Sequence, residues 1–374
     1  MAYNRKQCLN DNIKAIETAF ILDREQRTPT ARERLLLERY CGFGGLKCIL
    51  NPARELADAV HWAKSDLELF APTVELHRLI RENSKNESEY KQLMDSLKQS
   101  VLTAFYTPSA VTEALTDVLK EHQIIPEKVL EPSAGIGAFV DSVLDNNPKA
   151  DIMAFEKDLL TGKILHHLHP EQKVRIEGFE KIEKPFNDYF DLAISNIPFG
   201  DVAVFDPSYT AMKGMRALVT RRIHNYFFVK ALDTVRDGGL VAFITSQGVL
   251  NAKNNSAARF MMLYHADLVS AIRLPNNLFT ENANTEVGSD LIILQKNSQK
   301  ESLRGDDNLL DTVYNDENRI PTNNYFLEHP ERIIHTTAKL DTDPFGKPAM
   351  IYTHEDGVEG IAEDLRKMLH EDFK

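Results

Sequence analysis

The segment Asn196-Ile197-Pro198-Phe199 has residue types that could bind and activate an exocyclic amine. It directly follows an apolar run, residues 192–195, that the pattern predicts to be a buried strand. The Asn196 side-chain oxygen and a carbonyl oxygen of Ile197 or Pro198 could accept the two hydrogens of one NH₂ group. Phe199 offers a face on which a planar ring can stack. Alone, Asn-x-Pro is better explained as a turn, so the interpretation needs other motifs.

Two further motifs lie upstream of this segment. About sixty residues earlier an apolar strand ends in an acid and a small-residue turn, with the run Glu131, Pro132, Ser133, Ala134, Gly135, Ile136 and Gly137. The two glycines could let a ligand approach the backbone closely. Still earlier stands the run Phe105, Tyr106, Thr107 and Pro108. Each motif alone is a weak signal, but three in this order and spacing form a strong one.

The three motifs in this order resemble those of the S-adenosylmethionine-dependent DNA adenine-N6 methyltransferases, the N-6 DNA methylase family, over roughly residues 103–296. Residues 40–46 and 285–290 are also similar to the methylase portion of large methylase–helicase proteins of phages and mobile elements. The resemblance implies methyl transfer to adenine N6 in DNA, in a restriction–modification or mobile-element context. This sequence departs from the family at Ile197, where proline is more frequent.

The resemblance also implies an S-adenosylmethionine site. Glu131 would lie near the methionine amino group, and Glu156, which ends the second strand, would accept from the ribose hydroxyls. Glu180 stands where the family usually has an Asp that accepts a hydrogen bond from the amino group of the cofactor's adenine. The expected cofactor residues are Tyr106, Thr107, Glu131, Pro132, Ser133, Ala134, Gly135, Gly137, Glu156, Lys157, Phe179 and Glu180.

Several of these positions have a purely structural alternative. Glu131 could cap the helix that follows it, and Glu156 could be a surface acid paired with Lys157. Phe179 could stack on the cofactor adenine or belong to the core, and the sequence favours neither. Pro108, at the first turn of a helix, explains the Thr-Pro pair without a ligand.

The resemblance implies that the catalytic residues are Asn196, Pro198 and Phe199. It implies no general base, because the sulfonium methyl donor is already activated. The long connection of residues 200–223 is our candidate for contact with the DNA backbone, through Lys213, Arg216, Arg221 and Arg222. The alternative is a disordered surface loop with ordinary charges.

A metal site could be suspected at the closely spaced histidines His166, His167 and His169. No cysteine or paired acid supports it, and we expect no metal site.

From residue 103 onward, predicted strands and helices alternate, which indicates an α/β fold. We predict a seven-stranded, mostly parallel, Rossmann-like methyltransferase sheet with an antiparallel last strand, preceded by an N-terminal helical domain. In that domain we expect a helix capped by Thr30, with Glu33 three residues on, and a further helix over about residues 53–69. The expected divisions are 1–102, 103–298 and an acidic extension, 299–374. Every motif falls at the carboxyl end of a predicted strand, where such sheets bind ligands.

Composition bounds the function further. The chain has 374 residues, 43% hydrophobic and 27% charged, which is ordinary for a globular protein, and no apolar run of eighteen residues. The chain has three cysteines and no CxxC pair, which argues against a structural zinc site. So few cysteines also favour a reducing cytoplasm. The net charge is −12, of which −9 lies beyond residue 300. That acidity predicts weak, non-specific DNA binding by this chain and a separate recognition or helicase domain or subunit.

Two other functions remain open. Methyltransferases that act on a protein glutamine or an RNA amine use a similar site, although Phe-Tyr-Thr-Pro before the glycine motif favours DNA adenine. A non-catalytic antirestriction or assembly protein with a methyltransferase fold would also suit the acidic charge.

Overall fold

The computed structural model of the protein describes residues 4–103, 106–212, 214–280, 286–303, 305–315, 319–343 and 346–374. Its helices are α1 (Arg5–Glu25), α2 (Ala31–Leu37), α3 (Phe70–Glu82), α4 (Glu87–Thr103), α5 (Ser109–Glu121), α6 (Ala138–Asn146), α7 (Leu159–Leu168), α8 (Pro207–Thr210), α9 (Met215–Val219), α10 (Ile223–Thr234), α11 (Gly248–Asn251), α12 (Ser256–His265), α13 (Asn324–Glu328) and α14 (Gly357–Asp372). Its strands are β1 (Lys128–Glu131), β2 (Asp151–Phe155), β3 (Lys173–Arg175), β4 (Phe190–Asn196), β5 (Val235–Ser246), β6 (Ala266–Leu274), β7 (Ser289–Lys296), β8 (Thr312–Tyr314), β9 (Pro321–Asn323), β10 (Thr337–Thr342) and β11 (Pro348–Thr353).

Seven strands form one sheet in the order β3-β2-β1-β4-β5-β7-β6. Strands β1 to β5 pair in parallel, whereas β7 is antiparallel to both β5 and β6. The predicted α/β class, the seven strands and the antiparallel last strand are therefore confirmed. The strand order reverses between β1 and β4, and the carboxyl ends of these two strands flank the crevice in which open α/β sheets bind ligands.

Alternation along the strands divides the interior into two apolar layers. Leu192 and Ile194 face one layer, and Ala193 faces the other, as the two-residue period of a strand requires. The first layer also contains α5 and α6. The second contains α10 and α12, and it is rich in aromatic side chains. Both faces of the sheet are thus covered, and the ligand crevice is left at the edge formed by the strand ends.

The N-terminal region is helical, as predicted, and it packs directly on the sheet domain. Leu160, Ile164 and Leu168 of α7 share an apolar core with α1, α3 and α4. The predicted helix over residues 53–69 is wrong: two 3₁₀ helices, Leu56–His61 and Lys64–Leu69, replace it. Leu56 and Val60 are largely exposed, so this stretch lacks the buried face from which most helices gain stability.

The acidic C-terminal region contributes to the core. Four apolar residues of α14, namely Val358, Ile361, Leu365 and Leu369, are buried in the same layer as α5. The buried guanidinium of Arg259 donates to the carbonyl oxygen of Leu310 at 2.7 and 3.0 Å, which fastens the start of this region to α12. The division at residue 299 stays a prediction, but the last helix is an integral part of the sheet's covering layer.

The cysteines are arranged differently from the expectation for a reducing compartment. Cys8 and Cys41 are paired as a disulfide, and Cys48 is a buried free thiol. Among the helices of the described ranges, none is long and apolar enough to cross a membrane.

Candidate active site

A hydrogen bond joins the two central motifs. Ser195, the residue before Asn196, donates its hydroxyl to the carbonyl oxygen of Ser133 at 3.1 Å. The strands that carry them, β1 and β4, are parallel neighbours with Leu130 opposite Ala193. The Asn196–Phe199 segment and the glycine turn therefore meet at the same edge of the sheet, on either side of the point where the strand order reverses.

Glu156 organises the glycine turn. One carboxylate oxygen of Glu156 accepts from the backbone N–H of Gly135 at 2.8 Å, and the other accepts from that of Asp158 at 2.7 Å. The turn is also tied to β2, because the N–H of Ala134 donates to the carbonyl oxygen of Phe155 at 2.8 Å. The backbone N–H of Lys157 is a third donor to this carboxylate, which offers about four acceptor sites. The contact of Glu156 with ribose hydroxyls stays a prediction.

The space beside Gly135 is filled by the ring of Tyr106. A Cβ atom at Gly135, whose φ is +57°, would lie 2.8 Å from that ring. At Gly137 a Cβ would lie 2.6 Å from His169 Nε2. In this structure both glycines make room for neighbouring side chains, and the approach of a ligand to their backbone stays a prediction. The Tyr106 hydroxyl lies 3.4 Å from Thr161 Oγ1, which folds the Tyr106–Thr107 segment back over the turn.

Two buried polar groups beside the turn lack a partner among the described residues. They are one carboxylate oxygen of Glu131, which is 2% exposed, and the hydroxyl of Thr107. Burial raises the pKa of Glu131 well above its ordinary value, Asp141 and Glu156 raise it further, and the N–H of Val140 in α6 opposes the shift. The contact with Val140 matches the helix-capping alternative. The unpartnered oxygen fits a ligand that brings an ammonium group.

Other expected cofactor residues have different surroundings. Phe179 is 1% exposed and packs edge-on against Phe155 and close to Phe227, so its present contacts are those of a core residue. Its stacking on an adenine stays a prediction. Glu180 turns back over Gly178, where a Cβ would lie 2.2 Å from its carboxylate. Lys157 is exposed, Pro132 is buried and Ser133 is half-buried.

The Asn196–Phe199 segment is held at both ends. Asn196 is half-buried and lies beside Ile244 of β5. Ile197 is buried, and its N–H donates to the carbonyl oxygen of Ile244 at 3.0 Å, a bond that a proline could not make. The half-buried ring of Phe199 packs edge-on against Phe279, with centroids 6.3 Å apart. Ile197 thus holds the segment by a hydrogen bond in place of a fixed φ.

The connection after the Asn196–Phe199 segment contains the helices α8 and α9. Arg216 makes a two-pronged ion pair with Asp233, at 2.6 and 2.9 Å. Arg222 is paired with Asp201 at 3.0 Å and donates to Asn255 at 2.7 Å. Arg221 is exposed and has no ion pair in the described part of the chain. Lys213 lies outside the described residues, as do Phe105 and Thr285.

The histidines of residues 166–169 do not converge. His167 Nε2 lies 2.8 Å from Asp23 of α1, whereas His169 is buried beside Gly137. Burial lowers the pKa of His169 to about 4, so it is neutral at physiological pH. Both residues fasten α7 to its neighbours.

Sequence reasoning missed Thr161 and Ser195 at this site, whereas Tyr40 belongs to the segment of residues 40–46 that the sequence analysis had singled out. Thr161 Oγ1 lies 3.1 Å from the hydroxyl of Tyr40 as well as near Tyr106, so the N-terminal region reaches the cofactor side of the crevice. Neither Thr161 nor Ser195 belongs to a motif. For Ser195, its place next to Asn196 was the available signal.

Replacing Glu156 with Gln is expected to reduce the dependence of stability on pH. Burial, with Asp158 nearby, raises the pKa of Glu156 from 4.5 to about 8. As the pH rises from 4.5 towards 8, the unfolded chain loses this proton while the folded protein keeps it, so the wild type loses stability across that window. Urea unfolding at both ends of the window measures the difference. Identical pH dependence in wild type and Glu156→Gln would contradict the shift.

Replacing Arg221 and Arg216 with Ala is expected to separate DNA contact from stability. Arg221→Ala removes an exposed, unpaired charge and should lower the salt slope of DNA binding by about 1 without changing the melting temperature. Arg216→Ala leaves Asp233 unpaired and should cost about 1 kcal/mol of unfolding free energy. Salt-dependent DNA binding and thermal unfolding of both variants test this. An unchanged salt slope in Arg221→Ala would remove it from the interface.

The sequence matches the family described as N-6 DNA Methylase over residues 88–352. It is 29% identical over 201 residues to "Defense against restriction protein B" of Escherichia phage P1, a match that covers 52% of this chain and 8% of that protein. It is 24% identical over 173 residues to "Type II methyltransferase M.XamI" of Xanthomonas campestris pv. amaranthicola, covering 43% of this chain and 33% of that protein.

Among solved structures, the chain is similar to the type I restriction-modification system methyltransferase subunit from Streptococcus thermophilus. The identity is 17% and the TM-score 0.43, over 63% of this chain and 56% of that one. The chain thus spans a third or less of the length of the two curated relatives it matches.

Proposed function

The chain belongs to the N-6 DNA methylase family, and on that premise we propose that it transfers a methyl group from S-adenosylmethionine to the N6 amine of adenine in DNA. The observation that carries the proposal is the hydrogen bond from Ser195 to Ser133, which sets the Asn-x-Pro-Phe segment beside the glycine turn. A target held by one motif would lie next to a donor held by the other.

S-adenosylmethionine would supply an electrophilic methyl group on a positively charged sulfur. The unpartnered Glu131 oxygen would bind its ammonium group, because a buried carboxylate gains most from an adjacent cation. Glu156 would accept from the ribose hydroxyls while it continues to hold the N–H of Gly135. Thr107, folded over the turn with Tyr106, would bind the carboxylate end with its unpartnered hydroxyl.

Asn196 and a neighbouring carbonyl oxygen would accept the two hydrogens of the adenine N6 amine. Accepting both hydrogens increases electron density on the nitrogen and fixes its direction towards the donor, so alignment does most of the catalytic work. Phe199 would stack on the extruded base, an interaction worth ~1–3 kcal/mol per base. Its edge contact with Phe279 holds the ring in position.

The chain's net charge of −12 predicts that DNA selection requires more than this chain. Of the four basic residues expected to contact phosphates, Arg216 and Arg222 are already paired with acids. We therefore propose that a recognition or helicase domain or subunit supplies sequence choice. Isolated binding should be micromolar or weaker at physiological salt, on the order of non-specific association.

A methyl-transfer assay with labelled S-adenosylmethionine tests the substrate class. The protein is incubated in parallel with duplex DNA, structured RNA and a glutamine-containing peptide. We expect label in DNA alone. Label in RNA or peptide but not in DNA would replace the proposal with one of the other amine methyltransferases.

A non-catalytic role is the second candidate. It is favoured by the similarity to a protein named for defence against restriction, although the match covers 8% of that protein. Calorimetry with S-adenosylmethionine separates the two candidates, because a non-catalytic assembly protein has no need to retain the cofactor. Absence of S-adenosylmethionine binding, with no methylation of any substrate, would favour the second candidate.

A further inference from the structure

The segment of residues 200–222, here called the post-motif segment, exposes an unusual number of large apolar side chains. Phe205 is 79% exposed, and four further members are more than 40% exposed: Val202, Met212, Met215 and Leu218. Single exposed apolar residues are normal on a protein surface, but a concentration of them indicates a surface that something covers.

The backbone around Phe205 is firmly anchored. On one side, the N–H of Val204 donates to the carbonyl oxygen of Thr220 at 2.8 Å, which closes the segment into a loop. On the other side, the buried carboxylate of Asp206 accepts from the Tyr226 hydroxyl at 2.7 Å and from Lys230 at 3.3 Å. Phe205 is thus an aromatic side chain presented to solvent from a fixed backbone, and it contributes little to the packing beneath it.

The location and charge of the segment favour DNA as its occupant. It begins directly after Phe199, at the edge of the sheet where the target base would be bound. It contains four basic and two acidic residues, in a chain whose net charge is −12. An apolar surface that adjoins the Asn196–Phe199 segment suits a base stack, and the exposed Arg221 of the same segment, which has no ion pair in the described part of the chain, suits the neighbouring phosphate backbone.

Extrusion of the target base leaves a gap in the duplex. Proteins that distort DNA insert apolar wedges, among them Phe, between base steps, and a fixed backbone makes such insertion less costly in entropy. We propose that Phe205 is such a wedge and fills the gap that the extruded adenine leaves. The inference rests on the proposed function and adds to it the residue that keeps the base out of the stack.

Methylation rates of Phe205→Ala on native and on heat-denatured genomic DNA test the wedge. Loss of the wedge should lower the initial rate on native DNA at least about tenfold, because unstacking a base step costs a few kcal/mol. On denatured DNA the rate should change little, since no stack has to be opened. Leu56→Ala, which removes a side chain of the N-terminal helical region that is 84% exposed, should leave both rates unchanged. Equal losses on both DNAs, or none, would overturn the inference.

Photocrosslinking decides the inference even if the protein transfers no methyl group, a result that would count against the proposed function alone. p-Benzoylphenylalanine is placed at position 205 or, as the control, at position 56, and the protein is irradiated with sonicated duplex genomic DNA. We expect a protein–DNA product from position 205 only. A protein–protein product from position 205, or no product, would show that the apolar surface does not contact DNA.

Discussion

Replacing Asn196 with Ala is expected to lower the rate of methyl transfer on the order of 10³-fold, the loss seen when one group that stabilises a transition state is removed. In the proposed mechanism, the Asn196 side-chain oxygen would be the acceptor that holds the target amine in line with the methyl donor. Affinity for S-adenosylmethionine should stay nearly unchanged, because the groups that would hold it lie on β1, β2 and the turn between β1 and α6.

Single-turnover rates and calorimetry with S-adenosylmethionine measure the two quantities separately. Asn187→Ala is the matched control, because Asn187 is exposed and lies before β4. It should keep both the rate and the affinity of the wild type. An Asn196→Ala enzyme with near-normal rate would show that the amine is held by other groups.

Replacing Gly135 with Ala is expected to weaken S-adenosylmethionine binding by about ten- to a hundredfold, equivalent to ~1.4–3 kcal/mol. Two effects combine. Gly135 has a φ of +57°, which alanine adopts only with strain, and the new Cβ would lie 2.8 Å from the Tyr106 ring. Displacing that ring would move Thr107 and disturb the turn that Glu156 holds through the N–H of Gly135.

Gly305→Ala is the control for strain alone, since its φ is +99° and a Cβ there meets no atom within 4 Å. It should leave cofactor affinity intact. The double variant Gly135→Ala with Tyr106→Ala removes the ring that the new Cβ would strike. If the two single losses simply add in the double variant, the contact between Gly135 and Tyr106 does not matter for binding.

The features that could be predicted well from the sequence are those that depend on residues close together in the chain. Apolar runs marked the strands, and Thr30 with Glu33 three residues later marked the start of α2, where both bonds of a capping box are present. The carboxyl ends of β1 and β4 could be placed together because parallel strands bring their motifs to the same edge of the sheet. The junction of Asn196 with the glycine turn followed from that rule.

What the sequence could not predict depends on contacts between distant residues. That the ring of Tyr106 occupies the space at Gly135, and that Thr161 joins it, depends on how α7 packs. Counting charges along the sequence does not show that Arg216 forms an ion pair with Asp233, so Arg216 was predicted to be available to phosphates. The last helix resembled a solvated acidic extension because only one of its faces is apolar, and α5 covers that face.

Nucleoside mass spectrometry of the reaction product tests the central claim most directly. Unmethylated genomic DNA is incubated with the protein and S-adenosylmethionine carrying a deuterated methyl group, then digested to nucleosides. We predict that the labelled nucleoside is deuterated N6-methyldeoxyadenosine, and that it is absent when Asn196→Ala replaces the wild type. Deuterated methylcytosine, or N6-methyladenine formed equally well by Asn196→Ala, would contradict the assignment of this chain as a DNA adenine-N6 methyltransferase.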